Sequence, residues 1–395
     1  MVPRTSLLAC LAILVLGDCT YAQLPAIRGY YLNVPTWSDS NLAVAGGLGN
    51  INRFRLMTEP SYGDFKLQAA YEQVLSLSQR ARSDPSGLFV GFVPSGGEWL
   101  PLQWTIENDD HATWVHRFDR LNVGWAPGDA IEMVAGRLTA SWATTLFLTP
   151  ADPFLPFDPS DPFRVYRGGV DAFRFQYFPG PLSDLDFIVR PAEFSSGTTW
   201  SALARGRTVW RNWEVSAWGG MLYDRPAAAI GAAGGIGPVA VRGELTLQNN
   251  GGSMALRGSV GIDGRLGVWK RDLYYVVEYQ RDGFGAGNSA ELLQVAQSDA
   301  YARGQLQVLG RDEIVLQGLY QLHPLWALSL LLMTNMDDPS SLLSPSLSYS
   351  VSDEMSASGG LFFGFGDDTP TLESPIPSEY GLVPAYVYLS LTVFF

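Results

Sequence analysis

Strict alternation of apolar and polar positions is the clearest pattern in this chain. Over residues 385–395, every second position from Val387 to Phe395 is apolar, whereas the positions between them, from Tyr386 to Phe394, are aromatic or polar. A period of two predicts a β-strand, because successive side chains of a strand point to opposite faces. A segment of this length also suits a tilted strand that crosses a bilayer.

The same alternation recurs along the whole chain. It is clear at 173–177, 239–248, 273–280 and 313–322. Weaker examples are 51–58, 64–78, 113–125, 130–142, 183–190, 198–207, 212–223, 227–236, 254–266, 325–335, 341–352 and 355–365. With 385–395 and a first strand near 27–34, the total is about eighteen strands. About sixteen follow if 27–34 is instead a periplasmic arm.

The connections between these segments alternate in length. Short turns are expected at 59–63, 127–129, 179–183, 208–211, 237–238, 264–270, 323–324 and 352–355. Long connections at 79–112, 143–168, 281–311 and 366–384 fall on the opposite side. Transmembrane barrels have short periplasmic turns and longer outer loops. The pattern therefore predicts an all-β fold, a transmembrane antiparallel up-and-down β-barrel.

Residues 1–22 have the features of a secretory signal peptide. The segment 7–16 is apolar, and small residues at Thr20 and Ala22 suit cleavage before Gln23. The apolar run is too short to span a bilayer as a helix. We therefore expect export and a single mature barrel domain over 23–395.

Composition narrows the chemistry of the mature domain. Both cysteines, Cys10 and Cys19, lie in the signal segment, so neither a disulfide nor a cysteine metal site is expected. The 12 Trp, 17 Tyr, 20 Phe and 42 Gly suit a barrel with aromatic girdles. A net charge of −13 argues against nucleic acid as a partner.

Two stretches resemble a porin-like family of Gram-negative outer-membrane β-barrels whose function is poorly characterised. Residues 136–142 end a strand with Gly-Arg and Ser-Trp, 152–162 carry repeated Asp-Pro pairs, and 167–172 return as Arg-Gly-Gly-Val-Asp-Ala. Ala143 stands where a glycine is expected, so this match is partial. Residues 311–395 are similar to the same family. The resemblance implies a barrel in the cell outer membrane and says little about the solute.

The closing strand also resembles that of bacterial outer-membrane barrels. In those proteins the barrel-assembly machinery recognises a terminal aromatic residue and the alternating residues before it. The resemblance implies such an assembly signal at Tyr386, Tyr388, Leu391, Val393 and Phe395. It further implies contact with outer-membrane lipid and lipopolysaccharide, and it leaves homo-oligomerisation open.

The loop 143–168 is the first candidate functional feature. Prolines recur every third residue from Pro150 to Pro162, which favours an extended, stiff backbone. Such a loop could fold back and narrow the lumen, with opposed charges selecting solutes. The candidate charges are Asp152, Asp158, Asp161, Arg164 and Arg167. The alternatives are that each Asp-Pro pair only starts a turn, or that the three aspartates bind calcium.

Arginines on predicted strands form a second constellation. A lipid-facing arginine at mid-depth costs about 2–4 kcal/mol, so these side chains should point into the lumen or lie near an interface. The candidates are Arg53, Arg55, Arg137, Arg174, Arg190, Arg205, Arg207 and Arg242. A lumenal series of arginines would favour anions. Acidic residues on the same strands predict the alternative, neutralised pairs that fill the lumen.

Catalysis and cofactors are not predicted. The histidines His111, His116 and His323 belong to no Gly-x-Ser-x-Gly, His-Glu-x-x-His or phosphate-loop motif. The sequence favours a porin-like channel for passive diffusion of small hydrophilic solutes, with a preference for anions and a lumen narrowed by 143–168. The alternative is a non-conducting outer-membrane barrel that serves as a scaffold, an adhesin or an envelope-assembly partner.

Overall fold

A computed structural model describes residues 26–40, 46–80, 97–154, 163 and 166–395. The predicted signal peptide and its two cysteines lie outside the described residues, as do Asp158, Asp161 and Arg164. Most of the Pro-rich segment is likewise outside them.

The described chain consists mainly of β-strands joined by turns and loops. The strands are β1 (Ile27–Ser38), β2 (Gly47–Thr58), β3 (Ser61–Tyr62), β4 (Phe65–Ser78), β5 (Gln103–Asn108), β6 (Ala112–Trp125), β7 (Ile131–Leu138), β8 (Val170–Gly180), β9 (Ser183–Phe194), β10 (Gly197–Trp210), β11 (Trp213–Leu222), β12 (Arg225–Ile236), β13 (Val239–Asn249), β14 (Met254–Val268), β15 (Arg271–Asp282), β16 (Asp312–His323), β17 (Trp326–Asn335), β18 (Ser340–Ser352), β19 (Met355–Phe365) and β20 (Tyr386–Phe394). The loop 283–311 carries a 3₁₀ turn, Ser289–Glu291, and two short helices, α1 (Leu292–Ala296) and α2 (Asp299–Ala302).

Eighteen of these strands close into one antiparallel barrel. Each strand of the ring pairs with its neighbours in chain order, and β1 pairs with β20 to close it. Of the two remaining strands, β3 only extends a hairpin with β4, and β5 continues the wall beside β6. The first predicted strand is part of the ring, so the prediction of about eighteen strands is confirmed.

Closure joins the two ends of the barrel domain. The Gly29 amide donates to the Phe395 carbonyl at 2.8 Å, and the Phe395 amide donates to the Gly29 carbonyl at 3.1 Å. A Cβ at position 29 would lie 2.4 Å from the Arg55 carbonyl oxygen and 2.7 Å from the Phe395 ring. Only glycine fits at position 29, because the chain segments on both sides of β1 approach closely there.

Side-chain burial alternates along the strands as the sequence predicts. On β9, Asp184, Asp186 and Ile188 are buried inside the barrel, whereas Leu185 and Phe187 are 41% and 43% exposed on the outer wall. A continuous apolar exterior of this kind is wetted by lipid, and a closed ring satisfies the backbone hydrogen bonds that lipid cannot. The fold is therefore a transmembrane barrel.

Short turns and long loops segregate to opposite ends, which confirms the predicted parity. The connections at the end where β1 begins and β20 ends are short, and the described parts of the long loops 79–111, 139–169, 283–311 and 366–385 all follow strands that end at the other end. We call these the turn end and the loop end. No helix in the described residues is long and apolar enough to cross a membrane.

Candidate functional site: the barrel lumen

The loop 139–169 turns back into the lumen instead of leaving the barrel. Its first part, 143–151, hydrogen-bonds to inward side chains of β13 and β15. Its returning part contacts the opposite side, where the Phe163 carbonyl accepts from Arg53 Nη1 on β2 at 2.6 Å. Around the ring of eighteen strands, β13 is nine places from β2 in either direction. The two parts of the loop therefore contact diametrically opposite walls.

Two buried glutamates hold the first part of the loop by its backbone. Glu244 on β13 accepts from the amides of Thr144, Thr145 and Ala151 at 2.7, 3.2 and 2.9 Å. A carboxylate is well suited to this role because it offers acceptors only, and charge-assisted bonds to amides are stronger than neutral ones.

Glu278 on β15 binds the next three residues in the same way. It accepts from the amides of Leu146, Phe147 and Leu148 at 2.6, 2.8 and 3.0 Å. Gln307 adds a further clamp, since its Oε1 accepts from the Thr149 amide and its Nε2 donates to the Phe147 carbonyl, both at 2.6 Å. Every backbone amide from 144 to 149 thus has a side-chain acceptor.

Aromatic packing completes this anchorage. Trp142 is buried, and its indole Nε1 donates to Asp186 at 2.9 Å. Its ring meets Phe154 edge to face and lies 6.1 Å from Trp218, whose own Nε1 donates to the Ala151 carbonyl at 2.9 Å. The loop therefore combines apolar burial with satisfied polar groups, which favours one fixed position.

The two described charges of the predicted constriction contact each other. Arg167 Nη1 lies 2.7 Å from Asp152 Oδ2. The aspartate also accepts from the Ser141 hydroxyl and from the amides of Trp142 and Phe154. Asp152 and Arg167 thus brace the loop internally, and they do not face each other across an opening.

One part of the lumen wall is rich in arginine. We define the basic wall as the inward surface of β2, β4, β6, β8, β9 and β10. Its arginines are Arg53, Arg55, Arg117, Arg120, Arg174, Arg190, Arg205 and Arg207. They outnumber their partner carboxylates, which are Glu72, Asp119, Asp184, Asp186 and, on β11, Glu214.

Most of these arginines share a carboxylate with a neighbour. Glu72 lies 2.8 Å from Arg55, 2.7 Å from Arg117 and 3.6 Å from Arg53. Arg55 also reaches Asp119 at 2.7 Å. One buried carboxylate among three guanidinium groups leaves an excess of positive charge, so pairing does not neutralise the wall.

The second cluster of the basic wall lies on β8 to β10. Asp184 accepts from Arg205 and Arg207, and Asp186 pairs with Arg174 at 2.6 Å. Arg207 keeps 43% of its side chain exposed. The predicted lumenal positions of these three arginines agree with the geometry, although their role in solute passage stays a prediction.

Arg137 has a different environment from the other predicted arginines. It is 1% exposed and contacts Asp171 through Nε at 2.8 Å and Nη2 at 2.9 Å. Its Nη2 also donates to the Leu100 carbonyl, and Asp171 accepts from the Leu100 amide. Arg137 thus fastens the segment 97–102 to the wall at the end of β7.

Sequence reasoning missed Arg117 and Arg120 on β6. The pairing register between β4 and β6 shifts at Ala70 and Tyr71, so a regular period of two fails along β6. Lumenal Arg257 was missed too, although it alternates with Ser259 on β14 in the same way as the predicted residues. A rule that places every strand arginine inside the lumen would have found Arg257.

The opposite part of the lumen wall is acidic. We define the acidic wall as the inward surface of β13 to β16. Its buried carboxylates are Glu244, Asp263, Glu278, Asp282 and Glu313, of which Asp263 pairs with Arg242 and Asp282 with Arg257. Glu244 and Glu278 are the residues that bind the loop, so part of the negative charge of this wall is covered by backbone amides.

The returning part of the loop places an aromatic ring against the basic wall. The Tyr166 ring lies 4.6 Å from the Arg55 Cζ and 5.5 Å from the Arg120 Cζ. It also stacks on Tyr30 with centroids 6.2 Å apart. An aromatic face above a guanidinium is attractive without cancelling its charge.

Carboxylates also join the loops at the loop end. Glu379 in the loop 366–385 accepts from the amides of Leu309 and Gly310 and from Asn335 Nδ2, at 2.6, 2.9 and 2.8 Å. Its own amide donates to Asp338 at 2.6 Å. Burial, followed by nearby Asp338, raises the pKa of Glu379 to about 7. We call this contact the Glu379 latch.

The predicted assembly residues divide between the two faces of β20. Tyr388 is buried inside and meets Phe163 edge to face at 4.7 Å, whereas Leu391 and Phe395 are exposed on the outer wall. Tyr386 and Val393 are half-buried. Their role in assembly remains a prediction. Among the described residues, no cluster of acidic or histidine side chains could hold a metal ion.

Solved structures with this fold are outer-membrane porins. OpdK of Pseudomonas aeruginosa, solved with vanillate, matches at a TM-score of 0.55 with 10% identity over 93% of this chain and 98% of its own. OccAB4 of Acinetobacter baumannii matches at 0.56 with 8% identity, covering 96% and 100% of the two chains. A BenF-like porin from Pseudomonas fluorescens Pf-5 matches at 0.57 with 10% identity, covering 95% and 100%.

Sequence comparisons give no match: neither a family model nor a curated protein matches the chain. The structural likeness at this low identity is a likeness of fold. Together with the lipid-wetted outer wall, it confirms the predicted outer-membrane β-barrel, whose fold is that of porins.

Proposed function

We propose that this protein is an outer-membrane channel for passive diffusion of small hydrophilic solutes, with a preference for anions. The loop 143–168 narrows the lumen. The observation that carries this proposal is the position of the loop, whose described parts contact β13 and β15 on one side and β2 on the other. A loop fixed across the lumen restricts the passage to small solutes.

The anion preference rests on the asymmetry of the two walls. The loop covers Glu244 and Glu278 of the acidic wall, whereas the basic wall keeps more arginines than carboxylates. A solute that passes the loop therefore meets net positive charge. Small carboxylates, the class to which the vanillate bound in OpdK belongs, fit such a surface.

Reversal potentials in planar bilayers test the preference. The variant carries Arg120→Gln, Arg174→Gln and Arg207→Gln, three inward arginines with 15%, 19% and 43% exposed side chains. We expect the reversal potential in a salt gradient to shift toward cation selectivity, because a fixed positive charge near the path is lost. The matched control is Arg281→Gln, an arginine 61% exposed on the outer wall. Equal behaviour of the two variants would contradict the anion preference.

A non-conducting barrel is the second candidate function. The observation that favours it is the extent of arginine–carboxylate pairing, typified by Arg55 with Glu72 and Asp119. Single-channel recording separates the two functions. No conductance above the blank bilayer, in the intact protein and in a variant lacking 143–168, would establish the scaffold, adhesin or assembly role.

A further inference from the structure

We infer that Glu244 and Glu278 are positioning residues that set the width of the channel, an inference that rests on the proposed function. Neither residue needs to touch the solute. Each acts through the backbone of the loop, which it fixes against the acidic wall.

The contacts are specific for a carboxylate. Glu244 uses Oε2 for Thr144 and Thr145 and Oε1 for Ala151, so both oxygens accept. Glu278 likewise uses Oε1 for Leu146 and Oε2 for Phe147 and Leu148. A glutamine would turn an N–H group toward at least one of these amides, and two donors repel each other. The change to glutamine thus keeps the shape of the side chain but breaks its set of hydrogen bonds to the loop amides.

The position of these glutamates explains why they affect width. The bound segment 144–151 begins just after buried Trp142 and ends beside Ala151, which Trp218 holds by its carbonyl. Between these two anchors, Glu244 and Glu278 accept from loop amides, and Thr246 on β13 donates to the Pro150 carbonyl at 3.4 Å. Gln307, in the loop 283–311, adds the bonds to Thr149 and Phe147. Without the glutamates, the amides of 144–148 lose their acceptors on β13 and β15, so this stretch can shift relative to the opposite wall.

The acidic wall supplies a matched control. Asp263 on β14 is a lumenal carboxylate between Glu244 and Glu278 in strand order, and it pairs with Arg242 at 2.9 Å and Tyr274 at 3.1 Å. Both partners belong to the wall, and Asp263 has no hydrogen bond to the described part of the loop. Asp263→Asn therefore removes one carboxylate from the same wall, as each glutamine substitution does, without releasing the loop.

Single-channel conductance of the folded, bilayer-inserted protein tests the inference. For Glu244→Gln with Glu278→Gln we expect a conductance change of roughly twofold or more, with added current noise, since the loop now samples several positions. Asp263→Asn should leave conductance within about a fifth of the wild-type value. A double variant indistinguishable from Asp263→Asn would overturn the inference.

A disulfide keeps the test decisive if the double variant changes conductance for another reason. A Cβ built on Gly231 lies 3.1 Å from the Thr144 Cβ, slightly below the distance of about 3.5–4.5 Å across a disulfide. Gly231→Cys with Thr144→Cys should therefore cross-link the loop to β12. In the double-glutamine background, oxidation should restore wild-type conductance and reduction should abolish the recovery. Unchanged conductance on oxidation of a verified cross-link would count against the inference.

Failure of the inference and failure of the proposed function give different records. If the wild type conducts and the tether variants match it, only the positioning role is lost. If neither the wild type nor a variant lacking 143–168 conducts, the channel function itself is lost.

Discussion

The two walls of the lumen use buried charge in different ways. On the basic wall, guanidinium groups pair with carboxylates of neighbouring strands, as Arg55 does with Glu72 and Asp119. On the acidic wall, Glu244 and Glu278 have no arginine within salt-bridge distance among the described residues and bind loop amides instead. The pairs of the basic wall join its own strands, whereas the two glutamates of the acidic wall hold a loop in the lumen.

This difference follows from the hydrogen-bonding groups of arginine and of a carboxylate. An arginine has five N–H donors in a fixed fork, which is best satisfied by rigid side-chain acceptors on adjacent strands. A carboxylate offers only acceptors, so successive amides of an extended loop satisfy it without a counter-ion. Acidic and basic walls of one barrel are therefore not interchangeable, even where their charges are equal in size.

Breaking a side-chain pair within the wall should have the largest effect on stability. Arg137→Met leaves Asp171, which is 3% exposed, buried with its main cationic partner removed. We expect a loss of about 3–5 kcal/mol in the free energy of unfolding, the usual cost of a broken buried pair. Urea unfolding in lipid vesicles measures it. Adding Asp171→Leu should recover much of the loss, and a double variant as unstable as Arg137→Met would contradict this account.

The Glu379 latch should give an intermediate, pH-dependent effect. Its pKa of about 7 in the folded loop exceeds the ordinary value of 4.5, so proton binding favours the docked loop. This stabilisation of the docked loop is complete below the pKa of Glu379 in the undocked loop, and it is lost as pH rises through about 7. The loss is up to about 3 kcal/mol before any screening by solvent is subtracted. Cleavage of 366–385 by protease should therefore be faster near pH 8.5 than near pH 5.5, roughly in proportion to the opened fraction.

Glu379→Gln is the control for the latch, because it is permanently uncharged. Its cleavage rate should be almost independent of pH over the same range. A wild-type rate that does not change with pH, or a variant that keeps the full change, would contradict the latch.

The smallest effect is expected at an exposed pair of the acidic wall. Arg242 keeps 28% of its side chain exposed and lies 2.9 Å from Asp263. Arg242→Gln should lower the free energy of unfolding by less than about 1 kcal/mol, because water screens such a pair. A loss comparable to that of Arg137→Met would mean that water does not screen this pair, and the prediction would be wrong.

The sequence by itself determined the barrel. Alternation at 239–248 and 313–322, together with short and long connections in strict turn, predicted about eighteen strands and the side of each loop, because a closed ring leaves the chain no other way to satisfy its backbone. The choice between eighteen and sixteen strands needed the pairing of β1. The inward position of Arg53, Arg205 and Arg242 followed from the cost of charge in lipid.

Only the tertiary structure decided the partners inside the lumen. Glu244 and Thr144 are 100 residues apart, and no local pattern links a strand carboxylate to the amides of a distant loop. The bulge at Ala70 and Tyr71 likewise concealed Arg117 and Arg120 from a period of two. Strand alternation is a local property of the backbone, whereas the contents of the lumen depend on which strands curvature brings face to face.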